Sequence, residues 1–207
     1  MPAHLGLFLA ASLGLALFPG PSILFVSTRA LAAGRAEGTA SCLGTGLGGM
    51  AHVLAATLGL SALLLASSHL FTLLKFAGAL YLAWLGLTSL RDAPAPPPSP
   101  GAISPLGPRA AFRHGVLVEA LNPKTALFFL AFLPQFVAPH GAIAGQILVL
   151  GLISVALNTA ADLLAATLAA RFCRALTGGG RGLIWARRGL GAVLLALGAD
   201  LVLTATP

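Results

Sequence analysis

Lys124 follows Asn122-Pro123 in the middle of an otherwise apolar segment, and Pro19-Gly20-Pro21 interrupts an earlier apolar segment. A proline removes a backbone donor and clashes with the preceding turn, so each break frees carbonyls that need partners. In lipid those partners are protein, water in a cavity, or a cargo. An ammonium placed at mid-membrane costs ~3 kcal/mol on insertion scales and normally faces a cavity or a partner. Lys124, the helix N-terminus after Pro123 and the freed carbonyls are therefore groups for binding a small charged molecule. Bond-breaking chemistry finds less support. Ser22, just after the first break, has no histidine or second base at its depth, so a hydrogen bond to backbone or cargo suits it better than a nucleophile's role. His52, His69, His114 and His140 are dispersed, with no pair at helical ligand spacing, which disfavours a metal site.

The 207 residues are 57% apolar and 8% charged, with a mean hydropathy of +0.95. Soluble domains carry roughly 25% charged residues, so this chain cannot cover a globular surface with polar groups. It reads as an all-α polytopic membrane protein. The net charge of +7 does not point to nucleic acid, because the cations flank apolar spans instead of lining one polar face. Cys42 lies inside an apolar stretch and Cys173 among arginines, giving neither a disulfide framework nor a metal set. The run from Leu5 to Phe18 lacks the basic residues of a signal peptide and resumes after Pro21, so it is expected to be a retained first helix.

Stretches long enough to cross a bilayer occur at 5–27, 38–66, 69–90, 114–137, 143–170 and 186–206. Between the third and fourth, prolines 94, 96, 97, 98, 100, 105 and 108 make a stiff spacer. Arg29 and Arg35 flank the first connection, Arg91, Arg109 and Arg113 the spacer, and Arg171, Arg174, Arg181, Arg187 and Arg188 the fifth connection. Both termini and the turns at 67–70 and 138–142 have no Lys or Arg. The excess of cations places the odd-numbered connections in the cytoplasm and both termini on the periplasmic, outer side. Trp84 and Trp185 fall near the expected inner boundary, as interfacial anchors do.

The chain is thus expected to be one transmembrane domain, 1–207. It divides into a first repeat at 5–91, a proline-rich cytoplasmic linker at 92–108 and a second repeat at 109–206. Three spans per repeat force the second copy to insert inverted. Pro21-Ser22-Ile23-Leu24-Phe25 echoes Pro123-Lys124-Thr125-Ala126-Leu127-Phe128, each behind a break in the first span of its repeat. Counted from Arg29, Arg113 and Arg171, Pro21, Pro123 and Asp162 lie ~12, ~15 and ~14 Å from the inner edge of a ~30 Å core. Asn158 is one turn from Asp162 on the same face. Broken helices 1 and 4 at matching depth, with Asn122, Lys124, Asn158 and Asp162 at that level, are the pattern of a transport site at a repeat interface.

The motifs at these positions resemble those of the LysE/RhtB superfamily of amino-acid exporters. Pro19-Gly20-Pro21 followed by Arg29 and Gly34-Arg35-x-x-Gly38 is similar to its first-repeat signature, as is Leu74-Lys75-x-x-Gly78-Ala79-x-Tyr81-Leu82-x-x-Leu85-Gly86. The most specific match is Asn122-Pro123-Lys124-x-x-Leu127-Phe128-Phe129-Leu130-Ala131-Phe132-Leu133-Pro134-Gln135-Phe136. The resemblance implies a secondary active transporter of the bacterial inner membrane. It would export amino acids or close derivatives, driven by the proton motive force, with no bound cofactor and no enzymatic activity. Export of ions or metals, known among relatives of the superfamily, is the alternative cargo class. A non-transporting membrane scaffold is the other rival, and it would gain nothing from a buried lysine and two broken helices.

Each candidate has a plainer alternative. Lys124 is expected to anchor the cargo carboxylate; the alternative is an ion pair with Asp162 that locks two helices together. The cargo ammonium would meet the carbonyls freed at Pro19-Gly20-Pro21. Asp162 is the candidate proton carrier, since a carboxyl group held away from water can load and release a proton. Glu119, only ~9 Å deep by the same count, suits a cytoplasmic vestibule, with a proton-coupling or cargo-attracting role set against a simple pair with Arg113. Lys75 fits a snorkelling side chain near the outer interface or an outer gate. His52 fits a packing histidine, Arg29 a structural or gating position, and Asp200 an outer, wetted one. Gly44-Thr45-Gly46-Leu47-Gly48-Gly49 matches a dinucleotide fingerprint only formally, with no strand before it. Its glycines read as close helix packing, with Gly44 and Gly48 suited to a homodimer face on helix 2.

Overall fold

The computed structural model describes residues 5–60, 104–138 and 141–169, together with isolated positions between 73 and 91 and between 188 and 199. Lys75, Cys173, Trp185 and Asp200 lie outside the described residues, as does most of the expected third and sixth spans. All regular structure among the described residues is helical.

Helix α1 spans Leu5–Leu17 and α2 spans Pro21–Ala55. Thirteen residues make α1 ~20 Å long, too short to cross a ~30 Å core by itself. It stops because Pro19 and Pro21 offer no N–H to the carbonyls of Leu15 and Leu17 four residues earlier. Pro21 then opens α2 at its first turn, where its missing donor does no harm, behind Gly20 in extended backbone. Inside α2 the backbone leaves helical geometry at Gly34, with φ 80° and ψ −167°, values that an L side chain rarely adopts. The chain turns sharply there. A Cβ on Gly38 would stand 2.8 Å from that of Ala30, although eight residues of straight helix would separate the two by ~12 Å. α2 is therefore two arms, 21–33 and 35–55, with the second extended by a π-helical turn at Ala56–Leu60.

In the second half, α3 covers Pro108–Ala120 and α4 covers Pro123–Leu127. A π-helical turn at Phe128–Phe132 and a 3₁₀ turn at Leu133–Phe136 follow, and α5 spans Ile143–Thr167. α3 begins six residues before the expected fourth span, because Pro108, the last linker proline, serves as its first helical residue. Arg109 and Arg113 accordingly sit on the helix and not in the linker. Pro21–Gly59 and Ile143–Thr167 are long and apolar enough to cross a membrane, and α3 with 123–136, bent by 41°, makes a third candidate span.

The second arm of α2 packs between α3 and α5. A Cβ on Gly44 would overlap the carbonyl of Phe112, one on Gly48 the carbonyl of Val116, and one on Gly115 the carbonyl of Ser41. On the other side Gly46 meets Thr159 and Gly49 meets Val155. Small residues at these places let the helix backbones approach closely. The homodimer face expected at Gly44 and Gly48 is thus corrected: α3 of the same chain already covers both. Phe8 of α1 stacks with Phe132 and meets Phe136 edge to face, and these rings share a buried cluster with Val53, Leu133, Ile147 and Leu150. Leu7, Leu13, Leu43, Leu47 and Leu54 point outward, as a lipid-facing surface requires.

Glu37, which the sequence did not single out, fastens the end of the linker. Its Oε1 accepts the backbone N–H groups of Leu106 and Gly107 at 2.8 and 2.5 Å. Arg29 Nη1 lies 3.8 Å from Glu37 Oε2 and donates to the Ser104 carbonyl at 3.1 Å. Arg29 is therefore held at the Gly34 turn, tying the start of the second half to the first.

Substituting Gly44→Val should destabilise the protein by about 1–3 kcal/mol, because the carbonyl it meets belongs to a helix backbone. Thermal unfolding of detergent-purified protein should show a clearly lowered Tm for this variant. Gly6→Ala, which enters open space, should leave it unchanged.

Candidate functional site

The two chain breaks are bonded to each other. Lys124 Nζ donates to the carbonyls of Leu15 at 3.1 Å and Phe18 at 3.3 Å. Leu15 has lost its normal helical donor to Pro19 and keeps only a tightened bond from Phe18 N at 3.2 Å. A cation at a helix C-terminus also meets the negative end of the helix dipole. Lys124 is 6% exposed, and its side chain runs so close to Gly20 that a Cβ there would be 3.0 Å from Nζ. The expected alternative, a lock between Lys124 and Asp162, is not what holds this ammonium; the carbonyls freed at the first break do.

Lys124 is aimed by the cap of its own helix. Asn122 Oδ1 accepts the Lys124 N–H at 3.0 Å, and Pro123 fills the first helical position. Asn122 Nδ2 donates to Glu119 Oε2 at 2.9 Å, and Thr125 Oγ1 donates to Glu119 Oε1 at 2.7 Å. Both carboxylate oxygens of Glu119 are thus engaged inside the protein, and the residue is 1% exposed. The expected pair with Arg113 in a vestibule is replaced by this arrangement, because the bend after Ala120 folds the α4 donors back over Glu119. His52 Nε2 lies 2.8 Å from the Glu119 carbonyl oxygen, and its ring stacks on Phe129.

Asp162, on α5, is fully buried. Its Oδ2 lies 2.7 Å from Thr45 Oγ1, which lies 2.9 Å from the Cys42 carbonyl oxygen. Its other oxygen, Oδ1, has no hydrogen-bond partner among the described residues.

Lys124, Glu119 and Thr45 line one cavity, together with Ser12 of α1, Thr125 of α4, and Ser154, Asn158 and Thr159 of α5. Leu15, Phe128 and Phe129 supply its apolar wall. The volume is about 20 Å³, enough for one water and too small for an amino acid, so a cargo requires the helices to part. The hydroxyls of Ser12 and Ser154 are buried at this wall without a hydrogen-bond partner among the described residues.

Among the sequence candidates, Lys124, Glu119 and Asn158 reach the cavity and Asn122 orients two of its groups. Pro19, Gly20 and Pro21 contribute through the carbonyls they free and through the contact of Gly20 with Lys124. Ser22 is buried but is not on the cavity wall, and Asp162 stands behind Thr45. Thr45, Ser12, Ser154 and Thr125 were missed. Ser154 had a signal: with Asn158 and Asp162 it forms a polar stripe at four-residue spacing on an apolar helix.

The LysE type translocator family model matches residues 13–205. The chain is 33% identical over 173 residues to a homoserine/homoserine lactone efflux protein of Salmonella typhimurium, covering 83% of this chain and 82% of the relative. It is 32% identical over 159 residues to an uncharacterized membrane protein of Vibrio cholerae, covering 76% and 77%. A membrane protein of Pseudomonas aeruginosa is 38% identical over 133 residues, 62% of each chain. No solved structure matches. With a family match across nearly its whole length, the chain belongs to the LysE type translocator family of small-molecule efflux proteins and is a transporter, not an enzyme.

Proposed function

We propose that this protein exports a small amino acid, or a close derivative, from the cytoplasm in exchange for protons. The observation that carries the proposal is a buried ammonium and a buried carboxylate, Lys124 and Glu119, lining one cavity between two broken helices. A zwitterion offers the complementary pair. Its carboxylate would draw Lys124 from the Leu15 and Phe18 carbonyls. Its ammonium would take up the carbonyls so released and a free lone pair of Glu119. Every charge stays compensated during the exchange, which a buried site demands. Ser12 and Ser154 leave two hydroxyls to satisfy, which favours a cargo with a hydrogen-bonding side chain. The Salmonella relative's cargo, homoserine, has one and is the first compound to try.

The transport cycle follows from the paired breaks. Gly20-Pro21 and Asn122-Pro123 correspond in position, each an N-cap residue and a first-turn proline behind a 13-residue helix. This correspondence supports six spans arranged as two inverted three-helix repeats, with the arginine-rich connections in the cytoplasm. Rocking one repeat against the other would open the cavity to each side in turn. Asp162, buried beside the cavity, would carry the returning proton.

Cells preloaded with an amino-acid mixture that includes homoserine should lose one or two of its components faster when the protein is present. An uncoupler should remove the difference. Lys124→Ala should lower that efflux by about 10–100-fold, the value of a buried hydrogen bond to a charged group. Unchanged efflux of every component, from cells whose membranes contain folded protein, would refute amino-acid export.

A further inference from the structure

Thr45 sits between two oxygens and owns one hydrogen. Its Oγ1 is 2.9 Å from the Cys42 carbonyl and 2.7 Å from Asp162 Oδ2, both within hydrogen-bond range. Two oxygens at such a distance with no hydrogen between them repel. Two contacts need two hydrogens, a hydroxyl supplies one, and a carbonyl supplies none. Among these three groups only Asp162 is able to hold the second.

Two further observations agree. Asp162 is fully buried, and its Oδ1 has no partner among the described residues, which leave an ionised carboxylate here a single donor. Lys124, the cation that acts on Asp162 among the described residues, gives hydrogens to the Leu15 and Phe18 carbonyls. Among the described residues the charged and titratable groups acting on Asp162 are Cys42 from α2, Glu119 from α3 and Lys124 from α4. α1 contributes none, having no titratable side chain.

We infer that Asp162 carries a proton in this conformation and donates a hydrogen bond through it to Thr45 Oγ1, whose own hydroxyl donates a hydrogen bond to the Cys42 carbonyl. Thr45 is then the positioning residue that links the proton on α5 to the backbone of α2. It also stands on the cavity wall, between Asp162 and whatever enters. A cargo ammonium in the cavity favours an ionised Asp162. The proton leaves, the Thr45 hydrogen turns from Cys42 to the carboxylate, and the α2–α5 contact rearranges. Proton and cargo exclude one another at this point, which is the condition for antiport. The inference deepens the proton-exchange part of the proposed function and rests on that reading for its consequence, but the protonation itself does not depend on any cargo.

The test is an infrared spectrum of the purified protein at neutral pH, without cargo. A carboxylic-acid C=O band should be present in the wild type and absent from Asp162→Asn. Thr45→Val, which cannot accept the hydrogen bond, should shift that band, and Thr45→Ser should restore its position. In proteoliposomes, Thr45→Val should lower the protons moved per cargo about tenfold, a ratio that does not depend on how fast cargo is exchanged, and Thr45→Ser should recover it. If Asp162→Asn does not fold, the shift by Thr45→Val and its reversal by Thr45→Ser decide alone. A spectrum with no band assignable to Asp162, or a band indifferent to Thr45, overturns the inference even if export is real. A Thr45-sensitive band in a protein that exports no amino acid would support the inference and refute only the proposed cargo.

Discussion

A backbone carbonyl inside a membrane must have a donor, and two prolines near residue 20 take donors away. Everything at the centre of this protein answers that constraint. The Leu15 and Phe18 carbonyls are met by an ammonium from the other half of the chain. Lys124 in turn needs them, since a cation out of water is costly without partners. Each break would be unstable alone, and each supplies what the other lacks. The bond between them is also replaceable: a cargo carboxylate is a better partner for an ammonium than two carbonyls are.

The surrounding structure holds these groups at the required distances. Glycines at 44, 48 and 115 let α2 and α3 approach closely, which brings Glu119 and Thr45 to one wall. The Gly34 turn folds α2 back, and Glu37 fastens the linker to it, so the two halves share one rigid corner. The phenylalanine cluster of Phe8, Phe132 and Phe136 packs the other end of α1. Between these fixed ends the cavity has the short helices α1 and α4 and a π-helical turn on one side and α2, α3 and α5 on the other. Such turns, with their looser hydrogen bonding, recur at functional sites.

Much of this was legible in the sequence, for physical reasons. Prolines break helices wherever they fall, so both breaks could be placed from the sequence. A lysine within an apolar run stands out because the bilayer makes it costly, and Asn122 before Pro123 is a recognisable cap. The partners were harder to read. Nothing in the local pattern tells Lys124 to choose carbonyls of α1 over Asp162, because that choice depends on how the broken ends meet in space. Glu119 looked peripheral because depth was counted along a straight helix, whereas the chain bends at Leu121. Gly44 and Gly48 announced close packing without saying against what. Ser12 and Thr45 are too common in apolar helices to draw notice until their neighbours are known.

The central claim is that the Lys124 bond across the two breaks keeps the cavity shut. Spin labels at Leu17→Cys and Leu121→Cys, exposed positions beside each break, report the distance between them once Cys42 and Cys173 are replaced by serine. Pulsed electron resonance on the wild-type background should give one narrow distance distribution without cargo, and Lys124→Met should give a broader, longer one. Addition of the exported amino acid should move the wild-type distribution towards that of the variant. Identical distributions in all three cases would contradict the account, since the lysine would then be holding nothing that opens.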